Sequence, residues 1–525
     1  MPKQTPDLPL PGIRLDRSLP VPLHRQLYEQ LGRAIRSGQL KPGTRLPSTR
    51  AFARTLGVSR ITTLEAYHDL QIEGYLEAKV GAGTQVAQTL PDVFQAGQTE
   101  AGAPEGTAGV IQQNTAGHKL SKLSERGKRF TSQASPAWFA RAGDLRPFRF
   151  GIPALDAFPQ KAWARAVTRA VRAVSGQLLD YQDSAGFRPL REEIAAYLAV
   201  ARGVRCTADQ VMIVAGAQAG LSLIASLLLD AGDSVWMEDP GYLLARRAFQ
   251  AAGATLIPVP VDREGLIVSE GKSRFPGARL AYVTPTHQFP LGFTMSYARR
   301  RKLLQWAGQE GAWIIEDDYD SEYQYTGRPI PALLGLDDTG QVIYLGTFSK
   351  VLFPALRLGY VVVPPALVEA FSAAQRVISF HPPVLEQAAL AAFMAEGEFI
   401  RHIRRMRGLY EERRDCLLVN AGQYLPGHLQ FDPRQSGLHL VGRLPESTDE
   451  SELVRLAGQQ GVTVYPLSGF WIEPPACRGL ILGFAAFREK EIRAGLEQLA
   501  HAWRNSVTFS AHSASPSPPS RAPAG

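Results

Sequence analysis

A stretch of low-complexity sequence divides this 525-residue chain into parts that must fold separately. Residues 95–119, QAGQTEAGAPEGTAGVIQQNTAGHK, are rich in Gly, Ala, Thr and Gln and show no helical or strand period, as is typical of a linker. A chain of this length is also expected to exceed one hydrophobic core. We therefore predict a first domain over 16–87, a flexible linker over 88–144 and a second domain over 145–503. The Ser/Pro/Ala-rich end, 504–525, is predicted to be disordered.

Composition excludes several classes of protein. No run of eighteen or more apolar residues predicts a membrane span. The start, MPKQTPDLPLPG, lacks the apolar segment of a secretory signal. The three cysteines (Cys206, Cys416 and Cys477) lie far apart without a CxxC pair, which indicates a reducing compartment and neither a disulfide framework nor a zinc site. We expect a cytoplasmic protein.

The positive charge of the chain is concentrated at its start. The formal net charge is +8, and residues 1–87 carry 12 Lys or Arg against 7 Asp or Glu, a local net charge of +5. Such a balance suits a polyanion partner. Solubility alone is the alternative explanation.

The first domain has the pattern of a winged helix-turn-helix, a mostly helical fold with a β-hairpin wing. Four apolar residues recur at four-residue spacing on one helix face: Leu23, Leu27, Leu31 and Ile35. Gly and Pro then break the chain, and Ser48 and Ser59 are candidate caps of two further helices. Alternating residues on both sides of the turn GAG indicate the hairpin.

In this motif the second of the paired helices enters the major groove of DNA with its first residues toward the bases. Those residues are Ser59, Arg60, Thr62 and Thr63. The hairpin tip, Gly81–Gly83, has no side chain to keep the backbone from the minor groove. The alternative is a small helical protein-interaction module with a basic, solvated face.

The segment GQLKPGTRLPSTRAFARTLGVSRITTLEAYHDLQIEGYLEAKVGAGTQV resembles the GntR-type winged helix. The specific signs are the order LPS-x-R, LGVSR and EAY. The resemblance implies that Arg50, Ser59, Arg60, Thr62 and Gly81 contact double-stranded DNA. Ile61 stands where an asparagine is common in this family.

The second domain alternates short apolar runs with helical patterns, as α/β domains do. Its first notable feature is the strand Val211–Val214, which is followed by a small-residue turn and a helix. The free N–H groups of such a turn bind phosphate well, although many α/β turns have the same pattern.

Two further features follow strands of the same predicted sheet. The strand Trp313–Ile315 ends in an acidic burst: Glu316, Asp317, Asp318, Asp320 and Glu322. These carboxylates could hold a cation or a protonated ring nitrogen, and a metal site is the rival reading. The strand Val342–Leu345 precedes Lys350, which is either a Schiff-base lysine or a lysine whose stem packs on apolar surface.

Together the three features match pyridoxal 5'-phosphate (PLP). The aldehyde of PLP needs a lysine, its ring nitrogen needs an anion and its phosphate needs N–H groups and an arginine. Arg357, seven residues after Lys350, could supply the arginine. This assignment requires no metal.

Several motifs then occur in the order found in fold-type I PLP-dependent aminotransferases: FGIPALDAFPQKAW, YQDSAGFRPLREEIAAYLAVARGV, EDPGY, TPTHQFPLG, EDDYDSEY and GTFSKVLFPALRLGY. The resemblance covers 145–503 and implies a large and a small subdomain. With the winged helix in front, the whole chain is similar to the MocR/GabR subfamily of GntR-type regulators.

The resemblance implies roles for individual residues. Lys350 would form the internal aldimine with PLP, Asp317 would pair with the pyridine nitrogen and Tyr319 would contact the phenolic oxygen. Tyr242 would stack on the ring. The phosphate would be held by Ala217, Gln218, Thr347, Ser349 and Arg357, with Tyr181 reaching the phosphate of a neighbouring subunit in a homodimer.

Two positions depart from the aminotransferase pattern. Phe289 stands where an asparagine touches the phenolic oxygen of the cofactor, and His287 or Gln288 are candidates to compensate. Ile481 stands where an arginine holds the substrate carboxylate, a bidentate contact that isoleucine cannot make. Arg478, three residues earlier, is the nearest arginine in the sequence.

Three functions are compatible with these features. The first is a PLP-dependent transcriptional regulator that senses PLP, an amine or an amino acid through Lys350. The second is a working aminotransferase with a DNA-binding head, against which Ile481 counts. The third, a metal-dependent regulator built on the acidic burst, leaves Lys350 and Arg357 without a role.

Overall fold

The computed structural model describes residues 13–79, 83–88, 123–131, 145–173, 176–325, 331–432 and 436–513. The chain divides into two compact units, Met1–Ala116 and Gly117–Gly525. The helices are α1 (Leu23–Arg36), α2 (Thr49–Leu56), α3 (Arg60–Ile72), α4 (Glu125–Thr131), α5 (Gln160–Arg172), α6 (Gly176–Leu179), α7 (Arg188–Arg202), α8 (Ala217–Leu228), α9 (Leu243–Ala252), α10 (Val268–Arg274), α11 (Tyr297–Glu310), α12 (Val368–Ile378), α13 (Val384–Ala395), α14 (Glu398–Tyr424), α15 (Glu450–Gln459) and α16 (Glu489–Ser513). The strands are β1 (Leu76–Lys79), β2 (Gly83–Val86), β3 (Val211–Val214), β4 (Ser234–Asp239), β5 (Thr255–Asp262), β6 (Gly265–Leu266), β7 (Leu280–Val283), β8 (Trp313–Asp318), β9 (Val342–Thr347), β10 (Gly359–Val362), β11 (Gln430–Phe431), β12 (His439–Arg443), β13 (Tyr465–Pro466) and β14 (Gly479–Gly483).

The first unit is a winged helix-turn-helix, so this prediction is confirmed. Ser48 and Ser59 cap α2 and α3, because their side chains accept hydrogen bonds from backbone amides of the first helical turn. Gly57 adopts the left-handed conformation that ends α2 (φ 61°). Strands β1 and β2 pair antiparallel as the wing, and α1 and α3 pack together through buried apolar residues such as Leu31 and Leu70.

The second unit contains an eight-stranded sheet in the order β3-β10-β9-β8-β7-β4-β5-β6. Strand β10 is antiparallel to both of its neighbours, so β3 and β9 point in the same direction as β8, β7 and β4. Strands β3, β4, β7 and β9 are almost entirely buried, as expected for a sheet with helices on both faces, whereas most residues of β5 are only partly buried. The segments that follow β3, β8 and β9 therefore meet at one edge of the sheet. The α/β prediction is confirmed.

A second, antiparallel sheet has the order β11-β12-β14-β13 and packs with α14, α15 and α16 around a separate apolar core. The segment before α5 joins this sheet. Phe148 forms a β-bridge with Gly483, and its carbonyl accepts a hydrogen bond of 2.8 Å from the Gly483 amide. Residues 148–150 thus run beside β14.

Two helices extend into ranges for which the sequence predicted a linker and a tail. Helix α4 lies within 88–144, is capped by Ser124 and contacts α8 and α9 through Arg126 and Arg129. Its sequence, LSERGKRFT, differs from the Gly/Ala-rich stretch on which the linker prediction rests. Helix α16 continues to Ser513, because Gly and Pro are absent from 504–513. None of the helices in the described ranges is long and apolar enough to cross a membrane.

Candidate functional site

A cavity of about 280 Å³ lies at the edge of the large sheet where β3, β8 and β9 end. This volume is near the lower end of the range of ligand pockets. All the residues predicted to bind the cofactor line it, except Tyr181: Ala217, Gln218, Tyr242, Asp317, Tyr319, Thr347, Ser349, Lys350 and Arg357. The side chain of Tyr181 is 79% exposed and lies outside the cavity of its own chain. Sequence reasoning missed other lining residues, among them Arg149, Phe150, Tyr282, His439 and Tyr465.

Lys350 follows β9 and points its amine into the cavity. Its Nζ donates a hydrogen bond of 2.7 Å to the carbonyl of Gly151. Gly151 has φ +77°, and a Cβ there would lie 2.8 Å from Nζ, so the glycine leaves the space that the amine occupies. Burial lowers the pKa of Lys350, although the carboxylates of Asp320 and Asp317 act in the opposite direction. A lower pKa gives more of the neutral amine, which is the nucleophilic form.

Asp317 lies in β8 with one carboxylate oxygen paired and the other unpaired. The hydroxyl of Tyr282 donates a hydrogen bond of 2.6 Å to Oδ2. Oδ1 is buried and has no hydrogen-bond partner among the described residues. Burial raises the pKa of Asp317 to about 7. A buried carboxylate of this kind is stabilised by a cationic N–H donor in the cavity.

The start of α8 and Arg357 form an anion site on another side of the cavity. Gly216 precedes α8 with φ 87°, and no side chain caps this helix start. Arg357 donates a hydrogen bond of 3.0 Å to the carbonyl of Ala215. A Cβ on Gly216 would lie 3.3 Å from the Arg357 guanidinium, so the glycine permits this close approach. The free amides, the positive end of the helix and the guanidinium all favour a phosphate.

The hydroxyl of Tyr319 is positioned by a neighbouring histidine. It donates to the carbonyl of His287 at 3.0 Å and lies 3.0 Å from the ring Nδ1, which is itself 3.0 Å from both oxygens of Asp320. The amide of Gln288 donates to the carbonyls of Pro240 and Phe289. Neither His287 nor Gln288 lines the cavity, so neither directly replaces the missing asparagine.

Apolar side chains occupy the two positions that depart from the aminotransferase pattern. The ring of Phe289 lies 5.5 Å from that of Tyr242 and 5.6 Å from that of Phe150, centroid to centroid. Ile481 is fully buried in the same apolar cluster. Arg478 is exposed and donates to the carbonyl of Thr448. It does not line the cavity.

The acidic burst at the end of β8 and just after it is distributed among separate partners. Asp318 accepts hydrogen bonds from Arg202 (2.8 Å) and Tyr344, Glu316 accepts from two backbone amides, and Glu322 accepts from Tyr197. In the part of the chain that the structure describes, no group of three His, Cys, Asp or Glu residues is arranged to hold a metal ion. The carboxylates other than Asp317 therefore hold elements of the fold together.

The first unit presents most of the predicted DNA-contacting residues on its surface. Exposed or partly exposed are Arg50, Ser59, Arg60 and Thr62. Thr63 is fully buried and packs toward the domain core, so it does not lie on the exposed face of α3. Ile61 is 65% exposed on that face. Gly81 lies outside the described residues.

Comparisons with known proteins match both units. Residues 23–86 match the family "Bacterial regulatory proteins, gntR family", and residues 149–499 match "Aminotransferase class I and II". The probable rhizopine catabolism regulatory protein MocR of Rhizobium meliloti is 43% identical, over 93% of this chain and 95% of its own length. The pyridoxine biosynthesis transcriptional regulator PdxR of Corynebacterium glutamicum is 32% identical, over 94% and 98%.

The second unit is also similar to solved aminotransferases. The kynurenine aminotransferase of Pyrococcus horikoshii, solved in complex with PMP, superposes with a TM-score of 0.64 at 29% identity and covers 69% of this chain and 92% of its own. The unpaired Asp317 oxygen, the Lys350 amine and the uncapped start of α8 fit PLP, which is the cofactor of this fold. The chain belongs to the MocR-like regulators of the GntR family, PLP-dependent transcriptional regulators in which a GntR-type DNA-binding domain precedes an aminotransferase-like domain.

Proposed function

We propose that this regulator senses a ligand through the cavity around Lys350. The signal is either the occupancy of the cavity by PLP or the reaction of an amine or amino acid with bound PLP. This signal alters the affinity of the protein for an operator. The observation that carries the proposal is the combination of a built PLP cavity with a buried isoleucine at position 481. The chain thus keeps the groups that bind the cofactor and lacks the arginine that aligns an amino acid for turnover.

The geometry supports a role for each residue at the cofactor. The Lys350 amine would hold the aldehyde carbon of PLP, and the Oδ1 atom of Asp317 would pair with the ring N–H while Tyr282 keeps the carboxylate oriented. The amides of Ala217 and Gln218, the hydroxyls of Thr347 and Ser349 and the Arg357 guanidinium would hold the phosphate. Tyr242 would pack on the ring and Tyr319 would contact its phenolic oxygen. When bound, PLP supplies an aldehyde that reacts reversibly with amines and a ring that withdraws electrons from them.

The apolar surroundings of Ile481 favour sensing over sustained turnover. An aminotransferase must hold its substrate so that one bond is aligned for each proton transfer, and alignment contributes much of the rate. A bidentate arginine usually provides that alignment. With Ile481 and Phe289 in one apolar cluster, an amine can still reach Lys350, but its carboxylate finds no cation at the usual place.

Exposed apolar residues near Tyr181 support a homodimer. The exposed fractions are 72% for Leu179, 79% for Tyr181 and 86% for Val377, and the ring of Phe380 lies 4.9 Å from that of Tyr181. Large apolar side chains exposed to this degree support an interface. In a dimer two DNA-binding units would read two half-sites, with Arg50, Ser59, Arg60 and Thr62 of each in contact with DNA.

The names of the two relatives agree with a metabolic signal. One relative is named for rhizopine catabolism and the other for pyridoxine biosynthesis. Either signal, an amine or the vitamin itself, would act through the same residue, Lys350. These names support the proposal that amine or PLP levels control this regulator.

The test compares operator binding by the full chain with and without PLP, and with amines added to the PLP-bound form. Lys350→Ala should abolish the visible absorbance of lysine-bound PLP and the response of DNA binding to ligand, whereas the exposed Lys302→Ala should change neither. After borohydride reduction, the pyridoxyl group should be found on the peptide that contains Lys350. The proposal fails if DNA binding ignores both PLP and amines, and steady transamination would favour the enzyme instead.

A further inference from the structure

Three side chains beside the cofactor cavity make a series of close polar contacts that ends at the Tyr319 hydroxyl. Nδ1 of His287 lies 3.0 Å from both carboxylate oxygens of Asp320 and 3.0 Å from the hydroxyl oxygen of Tyr319. Of these three residues, only Tyr319 lines the cavity. His287 and Asp320 are 3% and 2% exposed, so water does not compete for their contacts.

The adjacent parallel strands β7 and β8 bring these residues together. His287 lies four residues after the end of β7, and Tyr319 and Asp320 directly follow β8. Gly437 closes the far side, because a Cβ there would overlap the ring of His287 and the carboxylate of Asp320. The histidine ring therefore has little room to turn away from Asp320.

The contacts of His287 assign the proton of its ring. A carboxylate only accepts hydrogen bonds, so Nδ1, at equal distance from both oxygens of Asp320, carries the proton. The resulting N–H has the Tyr319 oxygen as a further acceptor at the same distance. Nε2, on the other side of the ring, is buried without a hydrogen-bond partner among the described residues. The polar contacts of this histidine are therefore made at Nδ1.

Tyr319 keeps its own proton and has to share it. Burial, together with the carboxylates of Asp320 and Asp317, raises the pKa of Tyr319 well above its ordinary value. In the structure the hydroxyl donates to the carbonyl of His287 at 3.0 Å. Because a hydroxyl has one proton, a bond to the phenolic oxygen of PLP requires the hydroxyl to turn from this carbonyl. The N–H of His287 can still hold the Tyr319 oxygen after that turn.

We propose that His287 and Asp320 are positioning residues that act on the cofactor through Tyr319. They compensate for the donor that is lost because Phe289 replaces the asparagine of the aminotransferase pattern. The N–H of His287, oriented by Asp320, donates to the Tyr319 oxygen, and this strengthens the hydroxyl as a donor to the phenolic oxygen. The inference rests on the contact between Tyr319 and the phenolic oxygen that is proposed above.

Other charged groups also face this side of the site. His439, whose ring lies 5.3 Å from that of His287, is neutral because burial lowers its pKa to about 3. The remaining groups that act on Tyr319 or interact with Asp320 are Asp317, Asp318, Glu238 and Lys350. All of them are unchanged when His287 alone is substituted. A comparison of His287 variants of equal shape therefore isolates the contribution of Nδ1.

The experiment follows the visible absorbance of PLP bound to the full-length protein as the pH is changed. A donor at the phenolic oxygen stabilises negative charge there and lowers the pH at which lysine-bound PLP loses its proton. His287→Leu removes the N–H, so this midpoint should rise by about 0.5–1 pH unit, the worth of one hydrogen bond. His287→Asn has the shape of the leucine variant and keeps an N–H near the place of Nδ1. Its midpoint should remain close to that of the wild type.

Tyr319→Phe distinguishes this inference from the contact on which it rests. It should raise the midpoint by itself, and in its background His287→Leu and His287→Asn should give equal midpoints. If Tyr319→Phe leaves the midpoint unchanged, the proposed contact of Tyr319 fails and the inference fails with it. If Tyr319→Phe raises the midpoint but the leucine and asparagine variants of His287 do not differ, only the role of His287 is overturned. Should the leucine variant not fold, His287→Gln, whose amide lies near the place of Nε2, serves as the comparison without a donor at Nδ1.

Discussion

The hydroxyl of Tyr282 donates a hydrogen bond of 2.6 Å to one oxygen of Asp317, and the other oxygen of that carboxylate is buried without a partner among the described residues. The pair lies in adjacent strands, β7 and β8, so the sheet fixes the direction of the unpaired oxygen. A rigid carboxylate with one unpaired oxygen is pre-organised for a ring N–H.

Asp317→Asn should weaken PLP binding by about 10- to 100-fold, because the amide keeps the shape but removes the charge of a charge-assisted hydrogen bond. The measurement is a titration of the cofactor-free protein with PLP, followed by absorbance. Tyr282→Phe is the matched control: it removes the orienting hydroxyl and keeps the charge, so we expect a smaller loss. Equal affinity of Asp317→Asn and the wild type would contradict the proposed role.

The same carboxylate predicts a pH dependence. Burial raises the pKa of Asp317 from 3.8 to about 7, so the folded, cofactor-free protein retains a proton that the unfolded chain releases. The stability that Asp317 contributes is therefore present below pH 3.8 and is lost as the pH rises toward 7. Denaturant unfolding of the cofactor-free protein should show this loss in the wild type relative to Asp317→Asn. Glu238 is present in both proteins, but its pKa is raised by burial and also by the Asp317 carboxylate, so the difference between the two proteins includes the coupling of these two carboxyl groups.

The sequence was sufficient to predict those site residues whose positions follow from a nearby strand pattern. Asp317 lies at the end of β8 and Lys350 follows β9, and strands that share a direction deliver such residues to one edge of a sheet. Tyr282 and Arg149 carry no comparable local signal. Arg149 reaches the cavity through a β-bridge between Phe148 and Gly483, which sequence spacing cannot reveal.

The sequence contained a signal against the predicted role of Thr63 in DNA binding. Thr63 was predicted to contact DNA because it is near the start of α3. It is spaced three, four and seven residues from Ala66, Tyr67 and Leu70, all of which are buried. This spacing is that of one helix face, so the helical period already placed Thr63 toward the core.

Gly437 is the position where a small substitution should disturb the Tyr319 side of the site. Its φ is +75°, and an added Cβ would overlap the ring of His287 and the carboxylate of Asp320. Gly427 has the same φ and open space around it, so Gly427→Ala measures the backbone cost alone, roughly 1–2 kcal/mol. Gly437→Ala should cost about 1–3 kcal/mol more in denaturant unfolding and should shift the PLP absorbance. Equal costs for the two variants would show that the His287 contact is unimportant.

The DNA-binding face is tested by two neighbouring residues of α3. Arg60 is exposed, and Arg60→Ala should weaken operator binding and reduce the slope of log affinity against log salt by about 1. Thr63 is fully buried, and its hydroxyl has no hydrogen-bond partner within the described ranges. Thr63→Val should therefore leave DNA affinity unchanged and fold at least as stably. If Thr63→Val weakens binding as much as Arg60→Ala does, the assignment of the exposed face is wrong.

Restoring the missing arginine of the aminotransferase pattern should fail to restore turnover. Ile481 is fully buried among apolar side chains, so Ile481→Arg buries a charge without a partner beside Arg149, at an expected cost of roughly 3–5 kcal/mol. Ile481→Val, which removes one methylene, should cost about 0.5–1.5 kcal/mol and leave PLP absorbance intact. Unfolding by denaturant and single-turnover assays with L-alanine measure both effects. A stable Ile481→Arg protein that transaminates amino acids would mean that this residue alone separates the regulator from an enzyme, and that the apolar cluster has no structural role.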